Sequence, residues 1–241
     1  MIAIILAAGM GKRLRPLTED KPKCLIDLNK KDSILSFMLK KLLTFKEIEK
    51  IRIVGGHKFD VLKSYIEKNF PNERIEVIKN ESYERENYYS LFTGIRDLQQ
   101  NDIVIINSDV IAKKDIIDKL INSDDTSLII DNREDLDEED MKVVVKDGVI
   151  VKIGKQLDPH KSYGEYIGIA KIKKEYIPSL KESLTFMINN SIEDWYERAF
   201  QIMMEKRCKF IPVNTDGLPW TEIDTFDDLE HAKRLIKDYE I

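Results

Sequence analysis

Ile2-Ala3-Ile4-Ile5-Leu6-Ala7-Ala8-Gly9-Met10-Gly11-Lys12-Arg13-Leu14-Arg15-Pro16-Leu17-Thr18, followed by Lys21-Pro22-Lys23, is the stretch on which the reading of this chain turns. The apolar run Ile2–Leu6 reads as a strand. The segment after it combines two glycines with a concentration of cations that includes Lys12, Arg13, Arg15 and Lys23. Glycine lets a backbone turn sharply and bring its N–H groups against a ligand, and the cations suit only an anionic one. A polyphosphate is the natural candidate. Neither familiar phosphate template fits. Leu14 stands where the dinucleotide fingerprint needs its third glycine, no glycine lies five residues before Gly11-Lys12, and Arg13 replaces the P-loop Ser/Thr. The loop is of another kind.

Working outward, strand-like and helix-like patterns alternate through the first half. The β-branched runs Ile51–Val54, Ile75–Ile78, Asp102–Ile106 and Ser127–Ile130 are separated by helical patterns at Ser33–Phe45 (Ser33 as N-cap), Asp60–Asn69, Tyr88–Leu98 and Lys114–Ile121. Repeated βα units of this length predict an α/β fold with a doubly wound, mainly parallel sheet and helices on both faces. Ligands of such sheets bind beyond the carboxyl ends of the strands. The loop Ala7–Lys23 and the segment Asn107-Ser108-Asp109 both start at strand ends, so both fall on that rim. After about residue 140 a hairpin is predicted over Val143–Lys146 and Val149–Ile153, turned by Asp147-Gly148. Further strands are expected at Glu165–Ile172 and Phe210–Val213, and helices at Glu175–Phe186, Asp194–Lys206 and Phe226–Lys237.

The 241 residues fit one domain with a sizeable core. With 42% apolar and 34% charged residues and only 10 Gly and 7 Pro, extensive disorder is not expected. The net charge of −5 argues against a non-specific nucleic-acid binder and makes the cationic loop a local concentration. Cys24 and Cys208, with His57, His160 and His231, have no zinc-ligand spacing, and two thiols fit a reducing cytoplasm. Cys24 reads as a small buried filler and none of the histidines as catalytic. The start lacks the features of a signal peptide and no apolar run approaches eighteen residues, so a cytoplasmic protein is expected.

Two acids stand apart from the surface charge. Asp109 follows a buried strand, and Asp224 sits in the alternating segment Trp220-Thr221-Glu222-Ile223-Asp224-Thr225 ahead of the last helix. A carboxylate at a strand end facing a phosphate rim is a suitable hard ligand for Mg²⁺. Equally, Asp109 fits a loop cap, and Asp224 or Thr225 fits the N-cap of that helix. Asp131–Asp140 carries seven acids (Asp131, Glu134, Asp135, Asp137, Glu138, Glu139, Asp140) and reads as a solvated loop, with a site role open to one or two members.

The segment Leu6–Lys23 resembles the signature LAAGxGxRLxPLTxxxPK of the nucleotidyltransferases that activate sugar phosphates and phospho-alcohols, and matches it at every fixed position. The resemblance continues through Ile53-Val54-Gly55-Gly56-His57, Asn107-Ser108-Asp109 and Trp220–Thr225, and so covers essentially the whole chain. Glu86-Asn87-Tyr88-Tyr89-Ser90-Leu91 resembles the Asn-x-x-Ser-Leu element of cytidylyltransferases. Asp140-Met141-Lys142-Val143, Lys152-Ile153-Gly154-Lys155 and Gly164–Ile169 resemble elements of the phosphocholine and aminoethylphosphonate enzymes. Inositol-phosphate cytidylyltransferases share Lys-Ile-Gly-Lys, where sugar enzymes more often carry Glu-Lys-Pro. The chain also lacks left-handed β-helix repeats. CTP is therefore the expected nucleotide.

The resemblance implies a fold of the nucleotide-diphospho-sugar transferase (Rossmann-like) type with a small β-rich acceptor subregion. Residues 1–130 would form the nucleotide part, and residues 131–241 the acceptor-binding and closing part. It implies nucleotide contacts from Leu6, Ala7, Ala8, Gly9, Gly11 and Lys12, and base contacts from Gly56, Asn87 and Ser90. Arg13 and Lys23 would be catalytic, Asp109 and Asp224 would hold Mg²⁺, and Lys155 and Glu165 would meet the acceptor. Each also fits a plainer role. Lys12 and Lys155 suit solvated lysines, Gly56 a turn, Asn87 and Ser90 a helix N-terminus, and Glu165 an exposed strand position. Tyr88, Tyr89, Tyr166, Trp195 and Trp220 fit either a core or an aromatic wall for a quaternary ammonium. Acids of the 131–140 segment would suit an amine on the acceptor. In the implied reaction an acceptor phosphate or phosphonate oxygen attacks the α-phosphorus of CTP and pyrophosphate leaves. The expected partners are CTP or another NTP and a small acceptor, with a second copy of the chain a further candidate and no nucleic acid. The competing expectations are a sugar-1-phosphate nucleotidyltransferase using UTP, dTTP or GTP, and a non-catalytic regulatory subunit. Retention of Arg13, Lys23, Asp109 and Asp224 together argues against the latter.

Overall fold

The computed structural model describes residues 1–133 and 135–239; Glu134, one of the seven acids, lies outside the described residues. Its centre is β1 (Ile2–Ala7), a strand buried at every position. Side chains alternate across a strand, so Ile2, Ile4 and Leu6 enter one core and Ala3, Ile5 and Ala7 the other. A run without polar alternation is thus what a strand covered on both faces requires. β1 pairs in parallel with β2 (Lys50–Gly55) and β4 (Ile103–Asn107), and β2 with β3 (Ile75–Lys79).

Helices α1 (Ile34–Leu42), α2 (Phe59–Asn69) and α4 (Lys114–Ile121) pack on one face; α3 (Asn87–Ile95), α5 (Ile177–Asn189) and α6 (Glu197–Glu205) cover the other. Ser33 caps α1 as expected, its hydroxyl accepting the Ser36 N–H while Ser36 Oγ accepts the Ser33 N–H. The helix ends at Leu42, three residues before the expected Phe45. Likewise α3 ends at Ile95 rather than Leu98, and α6 starts at Glu197 rather than Asp194.

The rest of the sheet departs from simple winding. β6 (Ser127–Asp131) does not lie beside β4, because β9 (Gly164–Ile172) inserts between them, antiparallel to both. All nine residues of β9 are buried, as a central strand needs. The expected hairpin is β7 (Lys142–Lys146) with β8 (Val149–Gly154); β7 also pairs with the start of β9, while β10 (Ile211–Asn214) pairs in parallel with β6. The sheet order is β10-β6-β9-β4-β1-β2-β3, with β7 and β8 joined to the β9 side. A separate two-stranded sheet joins β5 (Val110–Ala112), which sequence periodicity did not reveal, to β11 (Trp220–Glu222). The closing helix α7 (Phe226–Tyr239) buries Leu229 and Ala232 in a third cluster with Leu14, Ile111 and Ile223. Among the described residues no helix is long and apolar enough to cross a membrane.

Candidate active site

The short β5–β11 pairing assembles the site. Opposing Val110 to Glu222, it lets the Ile223 N–H donate to the Asp109 carbonyl at 3.1 Å and so sets Asp109 beside Asp224. The loop from β1 reaches the same point. Gly11 is left-handed, with φ of +58°, and an added Cβ would lie 2.9 Å from Cβ of Lys23. Glycine is needed there both for the turn and for the approach of Lys23. Thr18 Oγ1 donates to the Gly11 carbonyl at 2.9 Å, and fully buried Leu14 anchors the loop against the third cluster.

Lys23 Nζ then lies 2.7 Å from Asp109 Oδ2 and 2.6 Å from Asp224 Oδ1, while Arg13 reaches Asp224 Oδ2 at 2.6 Å. Burial alone would lower the Lys23 pKa, but the two aspartates outweigh it and hold the ammonium above its ordinary range. Burial opposes ionisation of Asp224, yet Lys23 and Arg13 keep its carboxyl below the usual range. The capping role belongs to other atoms. Thr225 Oγ1 accepts the Asp228 N–H at 3.3 Å, and Asp228 Oδ2 accepts the Thr225 N–H at 2.7 Å. The Asp224 carboxylate is therefore free to face Lys23.

Sequence reasoning passed over Glu222. One oxygen each from Asp109, Glu222 and Asp224 lie within 4.8 Å of one another, and Oδ1 of Asp109 is buried without a hydrogen-bond partner. Glu222 keeps an exposed edge, but its carboxyl end is desolvated and faces the charges of Asp109 and Asp224, which push it up to about 8. Three hard oxygen donors with one orphaned lone pair suit a divalent cation such as Mg²⁺. The alternation Glu222-x-Asp224 on a strand-like segment was the available signal.

These groups line one side of a cleft of about 1030 Å³. Leu6, Ala7, Ala8, Gly9, Arg13, Lys23, Asn87, Ser90, Asp109, Lys155, Glu165 and Asp224 all border it. Gly11 and Lys12 border a smaller adjoining pocket of about 330 Å³. Gly56 borders neither; an added Cβ there would lie 2.2 Å from Cβ of Tyr83, so this glycine lets Tyr83 pack closely. Asn87 and Ser90 are partly committed. Asn87 Oδ1 accepts the Tyr196 N–H at 2.8 Å, and the Ser90 hydroxyl accepts from Asn80 at 3.0 Å.

The opposite end comes from the second half of the chain. Glu165 is buried and paired with Arg133, and burial together with Asp140 pushes its carboxyl up to about 7 against the pull of Arg133. The acidic segment is only partly solvated. Fully buried Lys142 donates to the carbonyls of Asp137, Glu138 and Asp140 at 2.7, 3.1 and 2.9 Å, tying the segment down so that Asp137, Glu139 and Asp140 border the cleft. Lys155 lies 3.3 Å from Glu139 and 4.7 Å from the Trp195 ring centre. The aromatic residues are mostly core. Tyr88 and Tyr166 are buried, Tyr89 packs against the same cluster, and Trp220 donates its indole N–H to Asp131 at 2.8 Å beneath Arg133. Cys24 is buried, which pushes its thiol up to about 12. Arg133, Asp140 and Glu197 complete this end; Asp140 comes from the segment left open to a site role, while Arg133 and Glu197 carried no distinguishing sequence signal.

Residues 2–141, more than half of the chain, match the family described as nucleotidyl transferase. The chain belongs to this family. This nucleotidyltransferase is 30% identical over 256 residues to CTP:phosphoglutamine cytidylyltransferase of Campylobacter jejuni, covering 95% of this chain and 98% of that one. It is 28% identical to the bifunctional IPC transferase and DIPP synthase of Aquifex aeolicus over 97% of its own length, spanning about half (51%) of that protein. Its structure superposes on that of the inositol-1-phosphate CTP transferase from T. maritima with a TM-score of 0.80, 25% identity, and coverage of 99% of this chain and 96% of that one. The fold expected of the nucleotide-diphospho-sugar transferase type is the fold observed.

Proposed function

We propose that this nucleotidyltransferase is a Mg²⁺-dependent cytidylyltransferase. It moves CMP from CTP to the phosphate or phosphonate of a small acceptor and releases pyrophosphate. The observation that carries the reading is the placement, in one cleft, of Lys23 and Arg13 beside Asp109 and Asp224 at one end and of Lys155 at the other. A cleft built for two anions needs a cation at each. The names of the relatives in C. jejuni and T. maritima, both CTP-using, support the choice of nucleotide.

The acceptor oxygen is already ionised at neutral pH, so the protein's task is positioning and neutralisation rather than proton transfer. Backbone N–H groups of the Ala8–Arg13 loop and the Arg13 guanidinium cradle the triphosphate. Lys23 stabilises charge growing on the α-phosphate; its aspartate partners keep it protonated across the physiological range. Asp109, Asp224 and Glu222 would hold Mg²⁺, which supplies Lewis-acid stabilisation of the reacting phosphates. Lys155 fixes the acceptor's anionic group. Residues 137–140 are all acidic, so their repulsion keeps that group on the Lys155 side.

Pyrophosphate release, measured with each NTP against a panel of phosphorylated and phosphonate acceptors with and without Mg²⁺, tests the proposal. Release with CTP and a non-sugar acceptor, dependent on Mg²⁺, is expected. Release only with UTP, dTTP or GTP and a hexose 1-phosphate would show a sugar enzyme instead, and release with no pair would sink both enzyme readings.

A further inference from the structure

One buried carboxylate at the acceptor end is incompletely satisfied by the described residues. Glu197, the first residue of α6, is only 5% exposed but borders the cleft, and its Oε2 is buried and accepts no hydrogen bond. Lys155, the cation whose charge reaches it, makes its ion pair with Glu139 instead. The helix start is also fixed. Asn87 holds the Tyr196 N–H at 2.8 Å, and the Tyr196 hydroxyl is 2.8 Å from that of Tyr166 and 3.2 Å from Asn107 Oδ1. Glu197 is therefore held at the cleft wall. A buried carboxylate oxygen without a donor is costly, and such an atom points to a partner brought from outside.

The wall constrains the chemistry of that partner. A carboxylate in a desolvated wall is best satisfied by a charged N–H donor, which supplies both the hydrogen bond and the counter-charge. A quaternary ammonium has no N–H to give. It would also need open aromatic faces, and those near Glu197 are occupied. Tyr166 and Tyr196 are buried with their hydroxyls bonded, and the Trp195 face is taken by the Lys155 ammonium at 4.7 Å.

We propose that Glu197 is a specificity-determining residue whose carboxylate accepts a hydrogen bond from a protonated primary amine of the acceptor. The substrate class is then a small phosphate or phosphonate carrying –NH₃⁺ a few bonds from phosphorus, with the anion toward Lys155. This deepens the cytidylyltransferase reading and rests on its placement of the acceptor.

The test compares phosphoethanolamine with phosphocholine, a pair differing only in methylation of the nitrogen. Their binding to the full chain is measured calorimetrically at pH 7.5 for wild type and for Glu197→Gln, with circular dichroism to verify folding. Wild type should bind phosphoethanolamine about tenfold or more tightly than phosphocholine, as a site with a buried acceptor rejects a ligand lacking the donor. Glu197→Gln should remove most of that ratio. Equal affinities, a preference for phosphocholine, no binding of either, or an unchanged ratio in Glu197→Gln would each overturn the proposal. If the variant does not fold, the wild-type ratio alone decides. Turnover with CTP is read separately. No pyrophosphate from either acceptor would break the cytidylyltransferase reading while leaving a measured binding preference to stand.

Discussion

At the end of the cleft built by the Leu6–Lys23 loop, two cations are interleaved with two aspartates. Lys23 is shared by Asp109 and Asp224, and Arg13 holds the outer oxygen of Asp224. At the far end the match is incomplete. Arg133 answers Glu165 and Lys155 answers Glu139, but among the described residues Glu197 makes no ion pair and its Oε2 accepts no hydrogen bond. The first end is cross-linked by ion pairs and pre-organised, with Glu222 beside them but outside them. The second carries a desolvated carboxyl group that a proton or an incoming cation relieves. On the proposed function the contrast separates two jobs in one cleft: rate at the ion-paired end and acceptor choice at the end where a carboxylate oxygen is left over.

The largest effect is expected from removing a carboxylate at the matched end. Asp109→Asn should lower pyrophosphate release with CTP by about 10³-fold, the scale of losing one pre-organised electrostatic contact. Near-normal activity with Mg²⁺ would remove Asp109 from the metal site. Lys23→Met should cost about 10²-fold in rate. It should also destabilise the protein by about 3 kcal/mol, because two part-buried aspartates lose the ammonium between them. Thermal unfolding measures this, and millimolar Mg²⁺ should restore part of the loss. An unchanged Tm would show that Lys23 does not neutralise this end.

At the unmatched end the effects are smaller and of another kind. Lys155→Ala should raise the acceptor KM about tenfold while kcat stays within about twofold, the signature of lost ground-state binding. An unchanged KM would exclude Lys155 from the acceptor subsite. Glu197→Gln should stabilise the unliganded protein at high pH. Burial pushes the Glu197 carboxyl up to about 7, with Asp194 adding to the rise and Tyr196 and Lys155 opposing it. Between the ordinary glutamate range and about pH 7 the folded protein keeps a proton that the unfolded chain has lost, so wild-type stability falls as pH rises through that window. The variant should therefore gain about 2 kcal/mol, or roughly 5 °C in Tm, at pH 8, and nothing near pH 4. A gain independent of pH would show that the charge of Glu197 is not what is unmatched.

The two ends differed in how legible they were before folding. Arg13 and Lys23 lie within one contiguous motif, and the apolar run of β1 declared a strand covered on both faces. The helices between Ile34 and Ile121 were visible from periodicity and capping residues, with ends misplaced by a few residues because Phe45 and Leu98 are buried in the core beyond the helix ends. The acceptor end draws on the loop after β6, the hairpin, β9 and the start of α6, segments whose acids look alike along the chain. Glu165 reads as an exposed strand position until β9 is seen to lie at the centre of the sheet. Nothing local to Lys142 shows that it is buried and holds three carbonyls.

The sequence by itself determined the strand–loop–helix architecture, the anion-binding character of the N-terminal loop and the family, because these depend on local periodicity, backbone freedom and residue type within short windows. Only the tertiary structure decided that β9 separates β4 from β6, that the β5–β11 pairing brings Asp109, Glu222 and Asp224 together, and that Oε2 of Glu197 is buried without a hydrogen-bond donor among the described residues. Strand pairing between distant segments and the burial of a charge are set by what packs against a residue, not by its neighbours in the chain, and no local pattern encodes them.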